Sequence, residues 1–186
     1  GWSKSARNVF VAPWLCGATA LLCEGRFDPA QRLEILERER VNVLCQTPTE
    51  YRLTAKRAQL RRLPDLRRMV SAGEALNPEV MAAFEEAMGI SISDGYGQTE
   101  TGQLTGNLAG EQPRPGSMGR ALPGVELRIV GEPDEPGELQ LKASTCPTFF
   151  SRYLDETSED VRERLIEGEW WATGDIVRRD EDGFYW

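Results

Sequence analysis

The first half of the chain alternates short apolar runs with helical stretches that open at a proline, which leaves few ways to fold. "ATALLC" (18–23) reads as a strand. It leads into "EGRFDP", where Asp28 can accept a bond from a free backbone N–H and Pro29 fits the first helical position. The helix continues through "AQRLEILERER", with Leu33, Ile35 and Leu36 on its apolar side. "VNVLC" (41–45) reads as a buried strand, because Val41, Val43, Leu44 and Cys45 leave little polar face. A helix opening near Pro48 follows, and "LRRMVS" (66–71) is the next strand candidate. "LNPEVMAAFEEAMG" (76–89) repeats the start signal with Asn77 and Pro78, and Gly89 supplies the stop. "ISIS" (90–93) then reads as a strand. Helices of this length between strands predict right-handed crossovers and a mostly parallel sheet, an α/β arrangement.

The second half differs. From about residue 113, prolines and glycines separate short apolar alternations: "VELRIV" (125–130), "GELQLK" (137–142), "EWWATGD" (169–175) and "GFYW" (183–186). These predict an antiparallel, barrel-like or sandwich unit. With "GNLAGEQPRPGS" (106–117) as the boundary region, the expected division is an α/β segment at 1–112 and a smaller β-rich segment at 113–186. The chain opens inside "GWSKSARNVF" and stops on "DGFYW", so it reads as a piece of a larger protein.

A formal net charge of −8 argues against a general nucleic-acid or anionic-membrane surface. The local basic run "KRAQLRRLPDLRR" (56–68) reads as a solvated helix face. No apolar stretch is long enough for a membrane span: Asn8, Pro13 and Gly17 break up "NVFVAPWLCGATALLC". Lys4 and Arg7 lead into no cleavage-site pattern. Cys16, Cys23, Cys45 and Cys146 lack paired metal spacing and sit mainly in apolar runs, so buried reduced thiols and a cytoplasmic location are expected. Histidine is absent, which removes serine–histidine and cysteine–histidine pairs and the usual catalytic zinc ligands from these 186 residues.

In parallel sheets, ligands sit beyond the carboxyl ends of the strands. Two loops leave that edge, "SAGEAL" (71–76) and "DGYGQTETG" (94–102), each with an acid, Glu74 and Glu100. Gly95 and Gly97 would let a ligand pass close to the backbone. Tyr96 could lie against a flat base, and Thr99 offers a hydroxyl and an amide to phosphate. Glu100 is a hard oxygen donor suited to Mg²⁺. These are the parts of a nucleotide site without a P-loop lysine; the same residues also make a polar turn. Further on, Asp175 in "WWATGD" (170–175) could accept bonds from vicinal ribose hydroxyls, or "TGD" could close a hairpin.

Taken in order, "SAGEAL", "DGYGQTETG", "GSMGRALPGVELRIV", "GELQLK" and "WWATGDIVRRDEDGFYW" resemble the adenylate-forming superfamily of acyl-CoA synthetases, adenylation domains and luciferases. The likeness is greatest to the medium-chain-type, AMP-forming acyl-CoA synthetases, whose core motif also reads YGQTE. It extends to "GW" at the start and "QTPTEYR" (46–52). The resemblance implies that ATP activates a carboxylic acid as an acyl-adenylate and that CoA then takes the acyl group. A carrier protein as acceptor, or a non-catalytic nucleotide-binding module, are the alternatives.

By the family pattern, Gly73, Glu74 and Ala75 border the adenine, Asp94 and Gly95 touch it through the backbone, and Tyr96 stacks on it. Gln98 belongs to the same nucleotide set. Thr99 binds the α-phosphate, Glu100 holds Mg²⁺ and Asp175 holds the ribose. The similar acetyl-CoA synthetases carry a tryptophan at the place of Gly97, so glycine implies an acid larger than acetate, with Tyr51 and Arg52 bordering its pocket. The family's lysine-ending phosphate loop and its C-terminal lysine domain have no counterpart in these residues. The remainder of a parent chain is therefore an expected partner, and the segment alone is expected not to form adenylates.

Overall fold

The computed structural model describes residues 10–108, 110–132 and 135–186. Lys4, Arg7, Asn8 and the opening "GW" lie outside them. One helical turn, α1 (Ala12–Leu15), precedes helix α2 (Pro29–Arg38), strand β1 (Val43–Gln46), helix α3 (Pro48–Arg57), strand β2 (Arg68–Ser71), helix α4 (Pro78–Met88) and strand β3 (Ile92–Ser93). β1, β2 and β3 lie in that order in one parallel sheet, with Leu44 beside Met69 and Met69 beside Ile92.

Local chemistry sets the helix ends. The Asp28 carboxylate accepts from Gln31 N at 2.8 Å, and Asn77 Oδ1 accepts from Glu79 N at 2.8 Å. Thr47 and Glu50 form a reciprocal capping box at the start of α3. Gly89 closes α4 with φ 71°. Leu33, Leu36, Leu44, Tyr51, Met69, Phe84, Met88 and Ile92 form one apolar core between sheet and helices. Its centre is the Tyr51–Phe84 edge-to-face pair, with centroids 5.1 Å apart.

The second core begins at Tyr96 and Leu104. Two short antiparallel pairs come first, β4 (Gly97–Gln98) with β5 (Gly102–Gln103) and β6 (Thr105–Gly106) with β7 (Arg120–Ala121). An antiparallel sheet follows, in which β9 (Gly137–Lys142) lies between β8 (Leu127–Val130) and β10 (Trp170–Val177). Helix α5 (Ser158–Glu163) precedes β10. Leu104, Leu139, Leu141, Cys146, Val177 and Tyr185 are buried here.

Several expectations are corrected. The antiparallel sheet is open and three-stranded, not barrel-like. Ala18–Cys23 is not a strand: no described strand pairs with it, and Leu22 is 64% exposed. A lone strand leaves its amides and carbonyls unpaired and is not stable. β1 is not buried on both faces, since Val43 is 57% exposed. The basic side chains of the run are exposed, but helix α3 ends at Arg57, residues 58–67 are irregular with Leu63 and Leu66 buried, and Arg68 opens β2. "GFYW" makes isolated bridges, Phe184 with Arg120 and Tyr185 with Arg179, instead of a sheet strand. None of the four cysteines is in a disulfide, yet only Cys146 is buried, while Cys16 and Cys23 are exposed. Burial of the thiols therefore gives no ground for a cytoplasmic location. Among the described residues no helix is long and apolar enough to cross a membrane.

Candidate functional site

The loop after β3 doubles back on itself. Tyr96 O accepts from Leu104 N at 2.8 Å and Thr105 N at 3.1 Å, and Tyr96 N donates to Thr105 Oγ1 at 3.2 Å. Gln98 N donates to Thr101 Oγ1 at 3.0 Å, closing a turn that presents Thr99 at the surface. Upstream, the buried Asp94 accepts from Gly95 N at 2.9 Å, and its carbonyl accepts from Asn107 Nδ2 at 3.1 Å.

This backbone fold carries Tyr96 and Gln98 to strand β10. Pairing of β10 with β9 breaks between Ala172 and Ile176, and Gly174 sits there at φ 76°. "TGD" is therefore a bulge inside a strand, not a hairpin turn, and glycine suits its left-handed backbone. The bulge turns Asp175 toward the loop. Tyr96 Oη donates to Asp175 Oδ2 at 2.5 Å, and Gln98 Nε2 donates to the same oxygen at 3.0 Å. Gln98 Nε2 also reaches Thr173 O at 2.7 Å, while Trp171 Nε1 donates to Gln98 Oε1 at 3.4 Å. Burial, then the bond to Asp175, raise the Tyr96 phenol well above its ordinary pKa, with Glu100 adding a further push. Tyr96 is thus a neutral donor across the working pH range. Asp175 Oδ1 accepts no hydrogen bond among the described residues, and the residue is exposed.

Glu100 lies on the same turn. Its carbonyl accepts from Phe150 N at 2.7 Å and its Oε1 from Tyr153 Oη at 3.0 Å. Glu100 forms no ion pair among the described residues. Among them no group of three or more His, Cys, Asp or Glu side chains could cage a metal. A single half-exposed carboxylate suits Mg²⁺, which keeps most of its waters and bridges one or two acids to phosphates.

At the ends of β1 and β2, Thr49 Oγ1 donates to Glu74 Oε1 at 2.7 Å and Arg52 donates to Glu74 Oε2 at 3.2 Å. The Thr49 bond first, and the Arg52 charge after it, lower the Glu74 pKa. Gly73, Glu74 and Ala75 are exposed on this loop. Arg52 is at the surface, but Tyr51 is fully buried, its hydroxyl donating to Val70 O at 3.1 Å and Leu44 O at 3.4 Å. That is a core position and not a pocket wall. Gly97 also has a different reason from the expected one. A Cβ there would lie 1.8 Å from the Gly102 carbonyl oxygen, so the β4–β5 pairing itself requires glycine. At Gly95 the corresponding space is filled by the Gln103 amide, 2.1 Å from a Cβ.

Sequence reasoning missed Thr173, Trp171, Asn107, Phe150 and Tyr153, which hold this network together. The one sequence signal is the cluster of hydroxyl and aromatic residues between Cys146 and Tyr153; apart from Asn107, which meets Asp94 across 13 positions, their partners lie 50 or more positions away and leave no spacing to read.

Residues 2–153 match the family of AMP-binding enzymes. YtcI of Bacillus subtilis, named an uncharacterized acyl-CoA ligase, is 41% identical over 194 residues, covering all of this chain and 36% of its own. Human ACSM4, a mitochondrial acyl-coenzyme A synthetase, is 34% identical over 196 residues, again covering all of this chain and 33% of its own. Among solved structures, a Brucella canis acyl-CoA synthetase superposes with a TM-score of 0.81 at 32% identity, covering 97% of this chain and 35% of that one. The anthranilate CoA ligase AuaEII, solved with anthranoyl-AMP, gives 0.79 at 30% identity over 95% of this chain and 35% of that one. The chain spans about a third of the length of the relatives it matches, and it belongs to the AMP-binding enzyme family.

Proposed function

We propose that this chain is the central part of an AMP-forming acyl-CoA synthetase that activates a carboxylic acid larger than acetate. The observation that carries the reading is the convergence of Tyr96 and Gln98 on one oxygen of Asp175, which leaves the other oxygen exposed. Two donors on Oδ2 fix the carboxylate plane, and a fixed exposed oxygen is what a ribose diol can donate to. The Tyr96 ring, half-buried beside it, offers a face to the base. Thr99 stands exposed on the same turn, where an α-phosphate oxygen would lie. The adenine edge would meet the exposed Gly73–Ala75 loop, with the buried Asp94 and Gly95 supporting the site from beneath.

In the first step a carboxylate oxygen of the acid forms a bond to the α-phosphorus and the bond to pyrophosphate breaks. In the second a CoA thiol, losing its proton, attacks the acyl carbonyl and AMP leaves. Neither step needs an acid or base from this segment; positioning and charge neutralisation at phosphorus carry the rate. Mg²⁺ held at Glu100 would neutralise phosphate charge when bound. The cationic groups for the remaining charge would come from elsewhere in the complete gene product. The size of the acid rests on relatives such as the anthranilate CoA ligase, since Gly97 is accounted for by β-pairing.

Asp175→Ala in the complete gene product tests the reading. Hydrogen bonds to a charged group contribute about 1.5–3 kcal/mol each. The ATP KM should rise about 10- to 100-fold with the KM for the acid unchanged. An unchanged ATP KM overturns the assignment of Asp175. A carboxylate panel in which acetate is turned over faster than benzoate or hexanoate overturns the size.

A further inference from the structure

Residues 146–153 form a strap across the turn that bears Glu100. Cys146 Sγ and Thr148 Oγ1 both reach Thr101 O, at 3.1 and 2.6 Å. Phe150 N holds Glu100 O at 2.7 Å. These bonds fix the backbone of two consecutive residues, and Tyr153 Oη, donating to Glu100 Oε1 at 3.0 Å, then fixes the side chain. The Tyr153 ring packs edge-on against Phe150, centroids 4.7 Å apart, and Phe150 packs against Trp171 of β10 at 5.4 Å. Trp171 in turn donates to Gln98. The hydroxyl is thus aimed by an aromatic stack anchored to the strand that carries Asp175. Leu154, the next residue, is 93% exposed and adds nothing to the stack.

We propose that Tyr153 is a positioning residue for Glu100: by occupying Oε1 it presents Oε2 to the Mg²⁺ of a bound Mg²⁺–nucleotide. The inference rests on the reading of Glu100 as the metal-holding carboxylate. Oε2 accepts no hydrogen bond among the described residues, which leaves its lone pairs open to a cation. A carboxylate with one oxygen held loses less rotational freedom on binding than one free to turn.

The test uses the complete gene product, with Mn²⁺ replacing Mg²⁺ in the presence of ATP and bound Mn²⁺ read by electron paramagnetic resonance. Loss of an outer-sphere partner weakens metal affinity about 10- to 100-fold. Tyr153 is 39% exposed, so about tenfold is expected for Tyr153→Phe, which keeps the ring and removes only the hydroxyl. The Mg²⁺ concentration needed for half-maximal turnover should rise in parallel, with the KM for the acid unchanged. Arg164→Ala is the structural control: it removes the guanidinium 5.6 Å from the same ring and leaves the hydroxyl in place. Mn²⁺ affinity should be unchanged in this variant; an equal loss means that packing of the strap, not the hydroxyl, matters, and overturns the proposal. Glu100→Gln separates the layers. Weakened Mn²⁺ binding in Glu100→Gln but not in Tyr153→Phe refutes the role of Tyr153 alone. Unaffected binding in Glu100→Gln refutes the metal reading of Glu100 and this inference with it.

Discussion

Replacing Tyr96 by phenylalanine keeps the ring and deletes one hydroxyl, the donor 2.5 Å from Asp175 Oδ2. A bond to a charged acceptor is worth about 1.5–3 kcal/mol. Asp175 is exposed and retains Gln98 at 3.0 Å on the same oxygen, which puts the expected loss at about the lower limit of that range. At about 1.4 kcal/mol per decade, the Kd for MgATP should rise roughly tenfold, measured by isothermal titration calorimetry on the complete gene product. Tyr96→Leu also removes the aromatic face and should lose about 1–3 kcal/mol more, the usual worth of stacking a base on a ring. Because Tyr96 and Asp175 are in contact, Tyr96→Phe and Asp175→Asn should be non-additive, with a coupling of about 0.5 kcal/mol or more. The pH dependence is fixed in sign. The folded phenol is raised above its ordinary value of 10.0, so its contribution is complete below pH 10 and is lost only as pH rises through the raised value. Nucleotide affinity should show no step from this group between pH 6 and 9. Additive free energies with an unchanged Kd in Tyr96→Phe would refute the view that this network is organised for a nucleotide.

Two further outcomes follow from the corrections. Tyr51→Phe removes two bonds to strand carbonyls inside the core and should cost about 1 kcal/mol of stability, read as a lower unfolding midpoint, with the KM for the acid unchanged; a shifted KM at unchanged stability would put Tyr51 back on the pocket wall. Gly97→Ala should disrupt the β4–β5 pair and cost more than the 1–3 kcal/mol usual for overpacking, because backbone and not a flexible side chain lies 1.8 Å away; a well-folded variant with altered acid preference would restore the pocket-volume reading of Gly97.

The parts of this structure legible in the sequence are those decided within a few residues. Asp28, Asn77 and Gly89 each act on a neighbour at most four positions away, and each does what its residue type implies. The parallel direction of β1, β2 and β3 follows from the lengths of the intervening helices; their order does not. Composition misleads where burial is decided by distant partners: "ATALLC" has a strand's residues but no strand beside it, and apolar neighbours did not bury Cys16 or Cys23. At the site the residue types were readable and their contacts were not. Tyr96 meets Asp175 across 79 positions and Glu100 meets Tyr153 across 53. The glycines show the same limit: their type implies close approach at Gly95 and Gly97, but the approaching groups are Gln103 and Gly102 of the chain itself.

The bulge in β10 decides between a sheet that happens to carry an acid and a sheet built to present one. An uninterrupted β9–β10 ladder would satisfy more backbone groups, and residues 173–175 give up that pairing. What compensates is local and polar. Thr173 Oγ1 donates to Leu139 O at 2.8 Å, Asp175 N donates to Thr173 Oγ1 at 3.2 Å, and Gln98 takes the Thr173 carbonyl. A purely structural strand has no use for this exchange, since it trades ladder bonds for side-chain bonds that also order Thr173 and the long side chain of Gln98. The exchange makes sense if the gain lies in where Asp175 ends up: outside the ladder, exposed, held at one oxygen and open at the other. Bulges that re-aim a side chain are common beside active sites for this reason. The prediction is that restoring the ladder, by deleting Thr173 and Gly174 so that a single residue between Ala172 and Ile176 faces Leu139, would keep or raise the stability of the sheet while abolishing nucleotide binding. Loss of both together would mean that the bulge serves the fold and not the site.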